Sequence, residues 1–145
     1  MPVPSTVHAN EIARVADAAY INQNFKVILV DAPGSDFDGD DAFATITANE
    51  VVDGLGGYSR QQIGFTSADI GLFDGEKTAL ARKAATFTHN GSVGETIRFS
   101  HVVMLDPNET DVVCVTKLAS RVTLSDSQSA IFYFDLTLYG VFVVE

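Results

Sequence analysis

At 145 residues the chain has the size of one domain, long enough to bury a core without metals or disulfides. It is 46% hydrophobic and 19% charged, with 19 acidic against 9 basic residues and a formal net charge of −10. A field of that sign repels phosphate backbones and anionic membranes, so neither nucleic acid nor a membrane is an expected direct partner. The single Cys114 forbids an intramolecular disulfide and fits a reducing cytoplasm. The start, MPVPSTVHANEIAR, lacks a basic stretch followed by an apolar run, so no signal peptide is expected, and no 18-residue apolar run is present to span a bilayer.

Residues 1–10 read as an extended, Pro-rich arm, because Pro2 and Pro4 fix φ and remove backbone donors. Ile12, Val15, Ala16, Ala19 and Tyr20 then recur at helical spacing and predict one short amphipathic helix over 11–21, stopped by Asn22-Gln23-Asn24. From 25 to 145 the pattern is that of strands and turns. FKVILV, residues 25–30, is a buried strand, and DAPGSDFDGDD is a loop by its Pro, Gly and Asp content. Residues 42–52 fit a helix or a strand equally. Asp53-Gly54-Leu55-Gly56-Gly57 is a turn, Tyr58 to Phe65 alternates as a strand, Ser67 to Lys77 is a second acidic loop, and Ala79 to Thr88 is an Ala-rich strand.

Ile97, Phe99, His101, Val103 and Leu105 share one face of a strand, Asp106-Pro107-Asn108 turns the chain, and Val112 to Ala119 forms the next strand. The final run, AIFYFDLTLYGVFVVE, alternates with a period of two. Phe132, Phe134, Leu136 and Leu138 fall on one side, and Ile131, Tyr133, Asp135, Thr137 and Tyr139 on the other, with Gly140 as a bulge or kink. About six to eight strands behind one helix predict a mainly β chain: a single-domain β-sandwich with a short N-terminal helix and an extended arm. Large apolar and aromatic residues on the second face of the last strand stand where a monomer places Lys or Glu, so that face is expected to meet another layer or another chain.

The loop Asp36-Phe37-Asp38-Gly39-Asp40-Asp41 places Asp36, Asp38 and Asp40 at positions 1, 3 and 5, as in a calcium loop. Gly is at position 4 instead of 6, and Thr47 stands where a bidentate Glu belongs, so a solvated acidic loop is the preferred reading. GLFDGEKT, residues 71–78, has Glu76 where a phosphate loop needs Gly before its Lys. His101 lies in an apolar row and reads as a core imidazole bonded to backbone. Cys114, within VVCVT, reads as a packed thiol. No nucleophile elbow is present in the sequence, and no enzymatic activity is expected. The six scattered cations Arg60, Arg82, Lys83, Arg98, Lys117 and Arg121 suit pairing with the acidic excess rather than a nucleic-acid track.

Several segments together carry a resemblance: ADAAYI (16–21), FKVILVD, GGYSRQQIGF (56–65), ARKAATF (81–87), IRFSHVVMLD (97–106) and RVTLSDSQSAIFYF (121–134). In this order they resemble a family of small tailed-bacteriophage virion proteins described as tail-fibre-like. The arm and the dense acidic loop depart from that pattern. The resemblance implies a virion structural role without enzymatic activity, as a tail component or a capsid decoration (cement) protein. Such a subunit is made in the host cytoplasm and contacts copies of itself, as a trimer or hexamer, and neighbouring tail or capsid proteins. On this reading Pro2, Val3, Pro4, Tyr58, Ile131, Tyr133 and Tyr139 supply the interface, and no cofactor is required. The alternative is a calcium-dependent carbohydrate- or ligand-binding sandwich, with Asp36, Asp38 and Asp40 beside the aromatics Phe37 and Tyr58.

Overall fold

A computed structural model of the chain describes residues 3–6, 19–38, 41–73, 77–80, 82–134, 137–139 and 141–144. Its strands are β1 (Val3–Thr6), β2 (Asn24–Val30), β3 (Gln61–Gly64), β4 (Ile70–Phe73), β5 (Lys77–Leu80), β6 (Lys83–Thr88), β7 (Ile97–Leu105), β8 (Val112–Leu124), β9 (Ser129–Phe134), β10 (Thr137–Tyr139) and β11 (Val141–Val144). One five-residue helix, α1 (Phe43–Thr47), interrupts them. The protein is mainly β, with antiparallel sheets packed together as in a β-sandwich. By its internal packing the chain divides into two compact units.

The larger unit comprises Asn24–Ile63 and Ala85–Phe132. Its main sheet has the order β3-β2-β7-β8. The inner strands β2 and β7 are buried on both faces, which is why their sequences are nearly unbroken apolar runs rather than alternating ones. Antiparallel register sets Ile28 opposite Val103 and Val103 opposite Val115, and this row joins Val30, Ala32, Ile46 and Leu105 in one apolar cluster. Phe37, Phe43 and Val112 close over it. A two-stranded ribbon, β6-β9, supplies the second layer. From it Phe132 meets Phe99 edge-on at 5.7 Å, and Phe87 stacks on Tyr58 at 5.9 Å. Ile97 and Phe99 do not continue the His101 row into the first cluster. The register of β7 on β8 shifts between Phe99 and His101, and Phe99 instead joins the aromatic group.

The smaller unit comprises Met1–Gln23, Gly64–Ala84 and Tyr133–Glu145. It holds the antiparallel sheet β10-β5-β4 and the pair β1-β11. Ile21 bridges Phe65, whose buried ring meets Tyr20 edge-on at 6.2 Å.

Several local expectations are corrected. Residues 3–6 are extended, but their backbone pairs with the chain's own C-terminal strand, Val3 opposite Val144 and Thr6 opposite Val141. Most of the expected helix over 11–21 lies outside the described residues, of which Ala19 and Tyr20 are helical. The ambiguous stretch 42–52 contains α1, anchored by buried Ile46. The supposed acidic loop at 67–77 contains β4, and the Ala-rich strand is two strands, β5 and β6. The closing run is likewise three short strands, and Gly140 lies outside the described residues.

Candidate assembly surface

The alternation predicted for the last part of the chain holds along β9. Ile131 and Tyr133 are 51% and 60% exposed, while Phe132 and Phe134 turn inward and are half-buried. The guanidinium of Arg82 lies 5.4 Å from the Tyr133 ring centroid, a cation–π contact. A branched aliphatic and an aromatic, two residues apart on β9, are thus both exposed. Tyr139 lies in β10 opposite Lys77, but its side chain is outside the described residues. Val3 and Pro4 are placed by backbone alone, in β1, and Pro2 is outside the described residues.

Tyr58 is corrected outright. It is 3% exposed and cannot offer its ring to a neighbour. The reason lies in the preceding glycines: Gly54, Gly56 and Gly57 all have positive φ and form a tight turn that drives Tyr58 inward. Its hydroxyl accepts a hydrogen bond from the Leu29 amide at 3.2 Å and donates one to Glu50 Oε2 at 2.9 Å. Burial, reinforced by the Glu50 carboxylate, pushes the phenol well above its ordinary pKa. Arg60 then clamps Glu50 with two hydrogen bonds, at 3.0 and 2.7 Å, and reaches Glu109 at 3.0 Å. Those carboxylates hold the guanidinium further above its usual range. The segment GGYSR is thus a structural latch, and its acidic partners 10 and 49 residues from Arg60 gave no local signal.

The acidic loop is also committed to structure. Asp36 is ion-paired with Lys117, whose hydrogen bond holds the carboxyl below the usual carboxylate range. Phe37 packs on the His101 ring at 5.0 Å between centroids, so it is not an exposed platform for a sugar. The Asp38 amide donates to Asp41 Oδ2 at 2.8 Å, and Asp40 lies outside the described residues. Among the described residues no group of three His, Cys, Asp or Glu is arranged to hold a metal ion.

His101 is fully buried, with Nε2 donating to the Ser35 carbonyl at 3.0 Å and Nδ1 2.7 Å from Ser100 Oγ. Ser100 Oγ also accepts from the Ala32 amide at 2.8 Å. His89 is bonded in the same manner: Nε2 donates to the Glu95 carbonyl and Nδ1 accepts from the Gly91 amide, both at 2.9 Å. Each imidazole therefore ties a loop to its sheet, with both nitrogens spent on neighbouring groups. Arg121 pairs with Asp31 and Lys83 with Asp69, as the scattered cations and acidic excess imply. No helix among the described residues is long and apolar enough to cross a membrane. In comparison with known proteins, no family model matches the chain, and no curated protein or solved structure is significantly similar to it.

Proposed function

We propose that the chain is a structural subunit of a bacteriophage virion, a tail-fibre-like component or a capsid decoration protein that associates with its own copies and with neighbouring particle proteins. The observation that carries this reading is the exposure of Ile131 and of Tyr133 on β9, in a mainly β chain. Burying these side chains on association removes apolar surface from water, which is the main driving force of obligate interfaces. Tyr58, Glu50, Arg60, His89 and His101 are all engaged in holding loops to strands, consistent with a scaffold rather than a reaction centre. A net charge of −10 directs the contacts to protein and away from nucleic acid and membrane.

Sedimentation equilibrium tests this. A trimer or hexamer is expected, and Ile131→Lys with Tyr133→Lys should dissociate it while leaving the circular dichroism spectrum unchanged. A wild-type chain that stays monomeric at all concentrations refutes self-association through these residues.

A further inference from the structure

We propose that a groove along the outer edge of β8 is a docking site for an extended, basic segment of a partner protein, which adds as a strand beside Val112–Val115 and sets a Lys or Arg against Asp41 and Asp111. The groove has a volume of about 520 Å³ and is bounded by Phe37, Asp38 and Asp41, by α1 and by the start of β8. It touches Val112, Val113, Cys114 and Val115 in succession. The register shift at Val113 breaks the strand's alternation there, so consecutive residues from Val112 to Val115 can all meet the groove. β8 ends its sheet: in the order β3-β2-β7-β8 it has β7 on one side and, among the described residues, no further strand on the other.

The sequence of this edge fits reception. Exposed edges are usually guarded by Lys, Pro or an inward charge. Lys117 and Arg121 lie in the later part of β8, whereas residues 112–115 are Val-Val-Cys-Val. A register shift between Met104 and Leu105 leaves Val113 as an extra residue there, 37% exposed. Phe37, Phe43 and Ile46 line the groove and suit apolar residues of the incoming strand or the methylene stem of a Lys.

Charge selects the occupant. Among the described residues neither Asp41 nor Asp111 takes part in an ion pair, whereas Asp31, Asp36, Asp69, Glu50 and Glu109 each pair with a cation of this chain. Acidic residues outnumber basic ones by 19 to 9 in this chain, so a segment of a second copy is a poorer source of the cation this rim takes than a basic partner. The fitting occupant is a different chain that supplies backbone donors and acceptors to the edge and a cation to the rim. This inference stands whether or not the protein belongs to a virion.

The test is a nuclear magnetic resonance titration of the full chain with a capped peptide of about ten residues that alternates valine with arginine and threonine, matching one strand in length. Amide resonances of Asp41 and of Asp111 to Val115 should shift, and affinity should fall as salt is raised. The double variant Asp41→Asn with Asp111→Asn, its spectrum otherwise superimposable, should bind at least about fivefold more weakly. The same peptide with glutamate in place of arginine should not bind. No shift at about 1 mM peptide, shifts centred elsewhere, or an equal response to the glutamate peptide overturns the proposal. So does movement of the same amides with the chain's own concentration, which would make a second copy the occupant.

Discussion

Tyr58 and Glu50 are joined by a 2.9 Å hydrogen bond from the phenol to Oε2, at a point where Tyr58 is 3% exposed. The pair links three parts of the larger unit, because the same phenol oxygen accepts the Leu29 amide of β2 and the same carboxylate receives Arg60. Removing the hydroxyl strands a buried amide. Tyr58→Phe should therefore cost about 1–3 kcal/mol, read from the urea midpoint at unchanged slope. A cost near zero would mean that water satisfies Leu29, and that the latch is incidental.

The glycines that aim Tyr58 inward differ in what surrounds them. Gly54 and Gly56 both have positive φ, +88° and +58°, but a Cβ at Gly54 meets open space, whereas one at Gly56 stands 2.7 Å from His89 Cδ2. His89 cannot retreat without breaking its bonds to Glu95 and Gly91. Gly54→Ala should cost about 1 kcal/mol from backbone strain alone, and Gly56→Ala about 1–3 kcal/mol more. Equal destabilisation of the two variants in thermal melts would show that His89 yields.

These residues mark the boundary of what the sequence discloses. β2 and β7 are legible because burial on both faces demands an apolar run, and β9 is legible because Ile131 and Tyr133 alternate with Phe132 and Phe134. Tyr58 is not legible because period-two alternation assumes a strand, and the residue directly follows a turn whose direction the positive φ of its glycines decides. The stretch 42–52 stayed ambiguous because Ala and Thr suit either state, and packing of Ile46 into the cluster settles it. Ion pairs spanning 81 residues, Lys117 to Asp36, and 90 residues, Arg121 to Asp31, exist only once strands are in register. For the same reason the groove beside Val112–Val115 has no local signature, since its walls come from a loop and a helix far away in sequence.

Acid should loosen the hairpin between β7 and β8. Asp106 accepts the amides of Thr110 and Asp111, each at 2.8 Å, and the Asp111 bond leads the causes that hold its carboxyl below the ordinary value of 3.8. A carboxyl with a folded pKa below its unfolded one stabilises the fold above the unfolded value, and that stability is lost as pH falls through the folded value. Asp36 and Asp69 shift in the same direction, through Lys117 and through the Thr66 amide with Lys83. Stability should therefore be flat near neutrality and decline below about pH 4. Asp106→Asn keeps one acceptor but removes the titration, so its acid limb in denaturant melts should be shallower than wild type. An identical limb would place the acid sensitivity elsewhere.

Cys114 offers a last check on the edge of the sheet. Its thiol is half-buried on β8, opposite Met104, and burial pushes its pKa up despite the opposing effect of a bond to the Met104 backbone. The reactive species is the thiolate, so a raised pKa lowers the reactive fraction near neutral pH, and partial burial hinders approach as well. The folded chain should react with an aromatic disulfide reagent at pH 8 several-fold more slowly than free cysteine, and at the free rate once unfolded in guanidinium. Raising the pH should speed the folded reaction well beyond the point where free cysteine has levelled off, because thiolate continues to form. A folded chain that reacts as fast as free cysteine would show that the start of β8 opens readily, and that its contacts with the sheet are weaker than their register implies.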